Sequence, residues 1–269
     1  MNKPQIVHTY RTSCKSVAQP PGFGDFLRGT MALFQLSRYL NFDLQMDFSH
    51  HPLSRYIEPY GMPYLQDDQP IYEFFNADIN KLEPFLTDHC SYGARFVTTH
   101  AVPLFPVDCE CRDFIRNRVS PKVAVNSLLR TILSELGLDR YCVVHMRMGD
   151  HTFGANISVS PTVEAYLREF ILPKWGRDVL LMSDNSAIKE LLSAKFSVMC
   201  LANTPVHLGQ CGDKESPRNG VLDALLDFHL MARSEEIYQY SVYPWGSGFS
   251  DMCSRIYDVP LTKIGAGKV

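Results

Sequence analysis

The residues best suited to chemistry lie in the run His145-Met146-Arg147-Met148-Gly149-Asp150, which closes the apolar stretch 141–144. Successive side chains on a strand point to opposite faces, so His145 and Arg147 are expected to share one. Arginine presents a planar fork of donors that matches two phosphate oxygens, and it stays charged at any working pH. When a nucleoside diphosphate leaves a sugar carbon, negative charge grows on the departing phosphate. A guanidinium placed in advance stabilises that charge more in the transition state than in the ground state. Gly149 lets the chain turn, and Asp150 is placed to orient Arg147 or to cap the turn. The plain alternative is a strand-end salt bridge between Arg147 and Asp150; the full H-x-R-x-G-D pattern after an apolar strand favours a functional role.

Two further polar segments follow apolar strands, Ser183-Asp184-Asn185 and the loop SVYPWGSGFS at 241–250. The loop Gly22-Phe23-Gly24-Asp25 is less specific. It reads either as a tight turn with Asp25 capping the next helix or as a cleft lining. As a dinucleotide fingerprint it fails, because Leu27 stands where the third glycine belongs. No complete G-x-G-x-x-G follows any strand, which disfavours a nicotinamide-dependent oxidoreductase. Cys109-Glu110-Cys111 has the wrong spacing for a zinc knuckle and no second pair. His50-His51 reads as a solvated loop pair. Trp245 is either a stacking surface for a sugar or base, or a buried anchor.

The elements that must position these residues alternate. Residues 5–11 read as a strand, 26–40 as a helix with Leu27, Met31 and Phe34 on one stripe, and 42–48 as a second strand. Proline and aromatic residues crowd 52–106, and no order of elements is assigned there. Helices are expected at 121–136, 160–171, 185–196, 219–233 and 249–257, with strands at 141–147, 178–183, 197–202 and 236–242. Ser160-Pro161 supplies a cap and a first-turn proline. Alternating strands and helices imply α/β architecture with parallel sheets covered on both faces. The expected division is 1–120 and 121–269, two Rossmann-like domains of GT-B type facing a cleft, with the final helix packing back on the first. Ligands of such sheets bind beyond the carboxyl ends of the strands, where 145–150, 183–185 and 241–250 converge.

The 269 residues are 45% hydrophobic and 20% charged with a net charge of −3, ordinary globular values that favour neither long disorder nor a nucleic-acid partner. Residues 1–11 lack the apolar stretch of a secretory signal. No apolar run approaches the ~20 residues needed to span a bilayer. The expectation is a soluble, cytoplasmic chain whose cysteines stay reduced, at positions Cys14, Cys90, Cys109, Cys111, Cys142, Cys200, Cys211 and Cys253. No membrane partner is expected, and oligomeric state stays open.

H-x-R-x-G-D resembles the first donor-binding motif of the fucosyltransferase superfamily, which includes α-1,2, α-1,6 and protein O-fucosyltransferases. GFGDFLRGTMALFQLSRYL followed by FDLQMDF resembles the opening of the rhizobial nodulation enzymes. Ser183-Asp184-Asn185 is similar to the second motif, usually Ser-Asp-Asp. LLDFHLMARSEEIYQYS resembles the third, in which an Asp opens a helix before a short strand and a serine loop. Roughly 50–120 has no match. Asn185 departs from the second motif, and His151 stands where the α-1,6 enzymes tend to have lysine.

The resemblance implies that Arg147 holds the β-phosphate, with His145 beside it on phosphate or nucleotide. It implies that Asp184 acts alone where the family has two acids, and that Asp227 accepts hydrogen bonds from guanine. Ser247 and Ser250, with Gly248 and Phe249, would offer hydroxyl and backbone donors to phosphate at a helix N-terminus; Ser241 is a rival for that role. Ser183 and Asp150 complete the donor set, and Gly22, Gly24 and Asp25 would line the cleft. No D-x-D triplet occurs, which argues against metal-dependent single-domain glycosyltransferases; Asp67-Asp68 alone does not make a metal site. The expectation is an inverting glycosyltransferase needing neither metal nor cofactor, transferring fucose from GDP-fucose to a glycan acceptor. Another donor, GDP-mannose or a UDP-sugar, and a non-catalytic nucleotide-sugar binder are the alternatives. Asp25, Asp150 and Asp184 are the candidates for a catalytic base.

Overall fold

The structure is a computed structural model that describes residues 3–10, 21–59, 71–74, 81, 84–87, 94–149, 160–203, 205 and 218–265. The described residues divide into two compact units, one ending at Lys122 and the other beginning at Val123.

The first unit holds four parallel strands, β1 (Gln5–Thr9), β2 (Asp43–Asp47), β3 (Ile71–Phe74) and β4 (Ala94–Thr99), in the order β2-β1-β4-β3. Ile6 and Val7 on adjacent positions of β1 are both fully buried, as expected of a parallel strand covered on two faces. Helix α1 (Phe23–Leu40) lays Ala32, Leu33 and Leu36 against Ile6, Leu44 and Val97. Its approach to β4 is so close that a Cβ on Gly29 would fall 1.9 Å from the Thr99 carbonyl oxygen. The helix ends at Asn41 in the left-handed conformation, whose N–H returns to the Ser37 carbonyl.

This helix starts earlier than its apolar stripe suggests. Phe23 is buried, with its ring against Phe48 and His51, and that anchor draws Gly24 and Asp25 into the first turn. The cap position is therefore Gly22, and Asp25 instead pairs with Arg28 at 3.0 Å. His51 is also corrected: it is 1% exposed rather than solvated, its Nδ1 accepts from the Leu53 N–H, and Tyr10, Phe23 and Phe48 surround it. A second helix, α2 (Cys109–Arg118), follows Asp108, whose side chain caps it by accepting from the Cys111 N–H.

The second unit opens with α3 (Val123–Leu136) and carries five parallel strands. These are β5 (Cys142–Arg147), β6 (Val179–Ser183), β7 (Met199–Cys200), β8 (Glu236–Ser241) and β9 (Leu261–Lys263), in the order β7-β6-β5-β8-β9. Between them lie α4 (Pro161–Tyr166), a π-helical turn at Leu167–Ile171, α5 (Leu172–Trp175), α6 (Ser186–Phe196), α7 (Arg218–Met231) and α8 (Gly248–Tyr257). Cys142, Val144 and Met146 of β5 face one core with Val163, Leu167, Ile188 and Leu192. His145 and Arg147 therefore point to the other side.

The final helix belongs to this second unit, and the chain after it adds β9 beside β8. The expected strand 197–202 shrinks to two residues. Cys109, Cys111, Cys142, Cys200 and Cys253 are free thiols, and burial pushes the Cys111 and Cys142 thiols up to about 12; Cys14, Cys90 and Cys211 lie outside the described residues. Among the described residues, no helix is long and apolar enough to cross a membrane.

Candidate active site

In the second sheet the chain runs from β5 outward to β6 and β7, then returns to β8 on the other side of β5. Strand order reverses between β5 and β8, and such a switch point leaves a crevice at the carboxyl ends. Arg147 and Ser241 are register partners there.

Asp184, just past β6, holds this edge together. Its carboxylate accepts from the Arg147 guanidinium, from the Met148 N–H at 2.8 Å and from the Gly149 N–H at 3.2 Å. The Arg147 and Asp184 side chains keep 17% and 15% of their surface exposed, enough to meet a ligand. Asp184 thus orients Arg147; Asp150, expected in that role or as a cap of the turn, lies outside the described residues. Gly149 takes a φ of +89°, a conformation costly for residues with a Cβ, and a Cβ would meet the Tyr243 hydroxyl at 3.0 Å. The Tyr243 ring sits 5.7 Å from the Arg147 guanidinium carbon. Trp245 stacks on Tyr243 at 5.2 Å and is 75% exposed, so it is not a buried anchor.

Behind the arginine lies a buried polar chain. Gln239 Nε2 donates to the Ser247 carbonyl at 3.0 Å and to Ser250 Oγ at 2.8 Å. Ser250 Oγ lies 2.9 Å from His145 Nδ1. With Gln239 donating to it, the hydroxyl has its own proton free for Nδ1, an assignment that places the imidazole proton on Nε2. Burial lowers the His145 pKa to about 4, and Asp184 and Arg147 act on it in opposite senses. The imidazole is thus neutral near pH 7. Ser250 is fully buried; its hydroxyl steadies His145 instead of standing open to a phosphate.

Ser247 is the cap residue of α8, and its carbonyl also accepts from the Asp251 N–H. The first N–H groups of that helix belong to Gly248 and Phe249, at the end of the β8 loop. Helix N-termini carry partial positive charge and favour anions. Ser241 Oγ accepts from the Tyr243 N–H at 3.1 Å and tightens the same loop. Ser183 Oγ accepts from the Asn185 N–H, and Asn185 caps α6 by accepting from the Ile188 N–H. The departure at Asn185 is thereby explained, since an amide oxygen caps a helix as well as a carboxylate does.

Asp227 lies in the second half of α7 and does not open it. It is 4% exposed and accepts from Asn203 Nδ2 at 2.9 Å. Gly22, Gly24 and Asp25 belong to the first unit, where Gly24 is buried in the first turn of α1. Among the described residues, no three His, Cys, Asp or Glu side chains group as metal ligands would.

No family model matches the chain, and no curated protein does either. Solved structures do match. NodZ α-1,6-fucosyltransferase soaked with GDP-fucose is 16% identical, with 97% of this chain and 95% of that chain covered at a TM-score of 0.54. A mutant of Arabidopsis thaliana FUT1 in complex with GDP is 13% identical, with 98% and 70% covered at 0.62. POFUT1 in complex with GDP-fucose is 11% identical, with 99% of each chain covered at 0.53. The fold is of the GT-B type.

Several residues escape sequence reasoning. Gln239 is the register partner of His145, and a glutamine inside an apolar strand was the available signal. Tyr243 shares the loop already singled out. Asn203 and Lys189 gave no signal, because neither lies in a motif.

Proposed function

We propose that this chain is an inverting glycosyltransferase that needs no metal ion and transfers fucose from GDP-fucose to a glycan acceptor. The observation that carries the reading is the position of Arg147: at the switch point, fixed by Asp184 and on the same strand face as His145, whose ring meets Phe249 and Ser250 in the first turn of α8. Two sources of positive potential there suit a diphosphate. The solved structures of the same fold lend support, since NodZ and POFUT1 were obtained with GDP-fucose and FUT1 with GDP.

In this reading Arg147 binds the β-phosphate, and the Gly248 and Phe249 N–H groups with Ser241 and Ser247 complete the anion site. His145 donates through Nε2, and Asp227 accepts from the base. The bond between the fucosyl anomeric carbon and the β-phosphate oxygen breaks, and its electron pair goes to that oxygen. The guanidinium neutralises the charge as it grows, as a divalent cation would elsewhere. An acceptor hydroxyl adds from the opposite face and releases its proton to solvent, which inverts the anomeric centre. Asp184 accepts three N–H groups and serves to position Arg147 rather than to take a proton. The first unit, with Gly22, Gly24 and Asp25 at the start of α1, is assigned to the acceptor.

Arg147→Ala should fold normally and lose about 10²–10³ in turnover, the usual cost of removing one preplaced donor to a developing oxyanion. The assay is release of GDP from GDP-fucose, run with and without EDTA and with GDP-mannose and a UDP-sugar as rival donors. Wild-type rates in Arg147→Ala would remove the mechanism, and loss of turnover in EDTA would remove its metal independence. A faster reaction with a rival donor would reassign the sugar.

A further inference from the structure

Three polar side chains, two on helices and one in the chain beyond β7, meet inside the second unit. Lys189 of α6 is only 2% exposed. Its Nζ donates to both the carbonyl oxygen and Oδ1 of Asn203, each at 2.6 Å. Asn203, beyond β7, in turn donates through Nδ2 to Asp227 Oδ1 on α7 at 2.9 Å. Burying an ammonium and a carboxylate is costly unless both are partnered, and apolar residues would fill the space at lower cost. The amide has a fixed sense, accepting from the lysine and donating to the carboxylate. Reversing it would set donor against donor.

That sense suits an ionised Asp227. An ionised carboxylate only accepts, and guanine presents two adjacent donors, its N1–H and its exocyclic amine. Adenine and uracil present no such pair. We propose that Lys189, acting through Asn203, is a positioning residue that keeps the Asp227 carboxylate ionised and aimed at the guanine of the donor nucleotide. The proposal rests on the guanine contact of the function proposed above.

The charged and titratable groups around the pair agree with it. Burial pushes the Asp227 carboxyl up to about 7, Asn203 and Lys189 pull it down, and Asp223 one turn away pushes it up. Burial lowers the Lys189 ammonium, while Asp227, Cys200, Asp223 and Glu190 raise it. Asp227 is thus balanced near neutrality, and the lysine charge decides which form prevails.

The test is GDP affinity measured by calorimetry on the whole chain from pH 6 to pH 9. Wild-type affinity should fall about tenfold per pH unit below about 7, as a proton competes for Asp227. Lys189→Met should shift that fall upward by about one unit. GDP then binds about fivefold more weakly at pH 7 and nearly tenfold more weakly at pH 6, and regains wild-type affinity by pH 9. Lys189→Arg, which keeps the charge, should follow the wild type. If Lys189→Met does not fold, Asn203→Ala is read in the same way. A profile unchanged in shape, whether or not affinity drops uniformly, would overturn the relay and leave a structural clamp. Unaltered GDP affinity in Asp227→Asn would instead overturn the guanine contact itself.

Discussion

Both units are built from parallel strands with helices between them, yet the carboxyl edges of their sheets differ in kind. In the first, Tyr10 and Phe48 close over a buried His51, and the Asp47 carboxylate is taken by the Thr9 hydroxyl and the Ser49 N–H. In the second, the edge carries an arginine held by a carboxylate, a helix N-terminus and an exposed tryptophan. Both edges hold an arginine–carboxylate pair in reach of solvent, Arg28–Asp25 and Arg147–Asp184. The first, however, buries His51 Nε2 and Thr98 Oγ1 without a partner among the described residues, whereas the second backs its pair with the hydrogen-bonded chain His145, Ser250 and Gln239. The same layout therefore says where a ligand can bind, while the side chains at the edge say whether that edge is set for an anion.

The largest effect that would break this comparison is steric and belongs to the first unit. Gly29 lets α1 lie directly on the end of β4, and an added Cβ would overlap the Thr99 carbonyl and crowd the His100 Cα. Both obstacles are backbone, so neither can swing aside. Gly29→Ala should cost about 3 kcal/mol or more, the upper end for overpacking. Chemical denaturation would measure it. A loss under about 1 kcal/mol would mean that the helix and strand part easily and that the first edge is not tightly packed.

A second effect comes from acid. Burial lowers the pKa of His8 and of His51 to about 3, well under the 6.5 of an exposed imidazole. Between those values the unfolded chain binds protons that the folded one refuses. The stability from these two groups is complete above about pH 6.5 and is lost as pH falls, at up to about 1.4 kcal/mol per imidazole per pH unit. In the second unit two buried groups titrate in opposite senses. His145, lowered to about 4, acts as the other histidines do; Asp227, raised to about 7, gains stability as pH falls through that value. Over most of this range the two offset. Hydrogen exchange from pH 7 to pH 4.5 should show protection lost first in β1 and α1, with β5 and β8 holding longer. Loss in the reverse order would contradict the assignment of these buried groups.

How much of this was legible depended on which force set each element. The second unit was readable because its strands are short apolar runs ending in polar residues, and because caps such as Asn185 mark its helices. The convergence of His145, Arg147, Asp184 and Ser247 followed from one topological rule. Other features came from tertiary contact and left no periodic trace. The start of α1 at Phe23 depends on the Phe48 and His51 rings. Strands β3 and β4 fall among prolines and aromatics that obscure alternation. Strand β9 has three residues, too few for a pattern. Lys189 looked like any solvated helix charge, since only the fold brings Asn203 to it.

The smallest effect tests whether the buried chain behind Arg147 tunes the edge or merely fills it. Ser250→Ala removes the hydroxyl shared by His145 Nδ1 and Gln239 Nε2, while Gln239 keeps its bond to the Ser247 carbonyl. Leaving a buried imidazole nitrogen without a partner should cost about 1–2 kcal/mol of stability. It should also free the ring to turn, so that Nε2 no longer faces the diphosphate. If His145 donates to the nucleotide, GDP affinity falls by about tenfold, and Ser250→Thr, which restores the hydroxyl, recovers most of it. If stability falls but GDP affinity does not, His145 is a core residue, and the second edge owes its anion site to Arg147 and α8 alone.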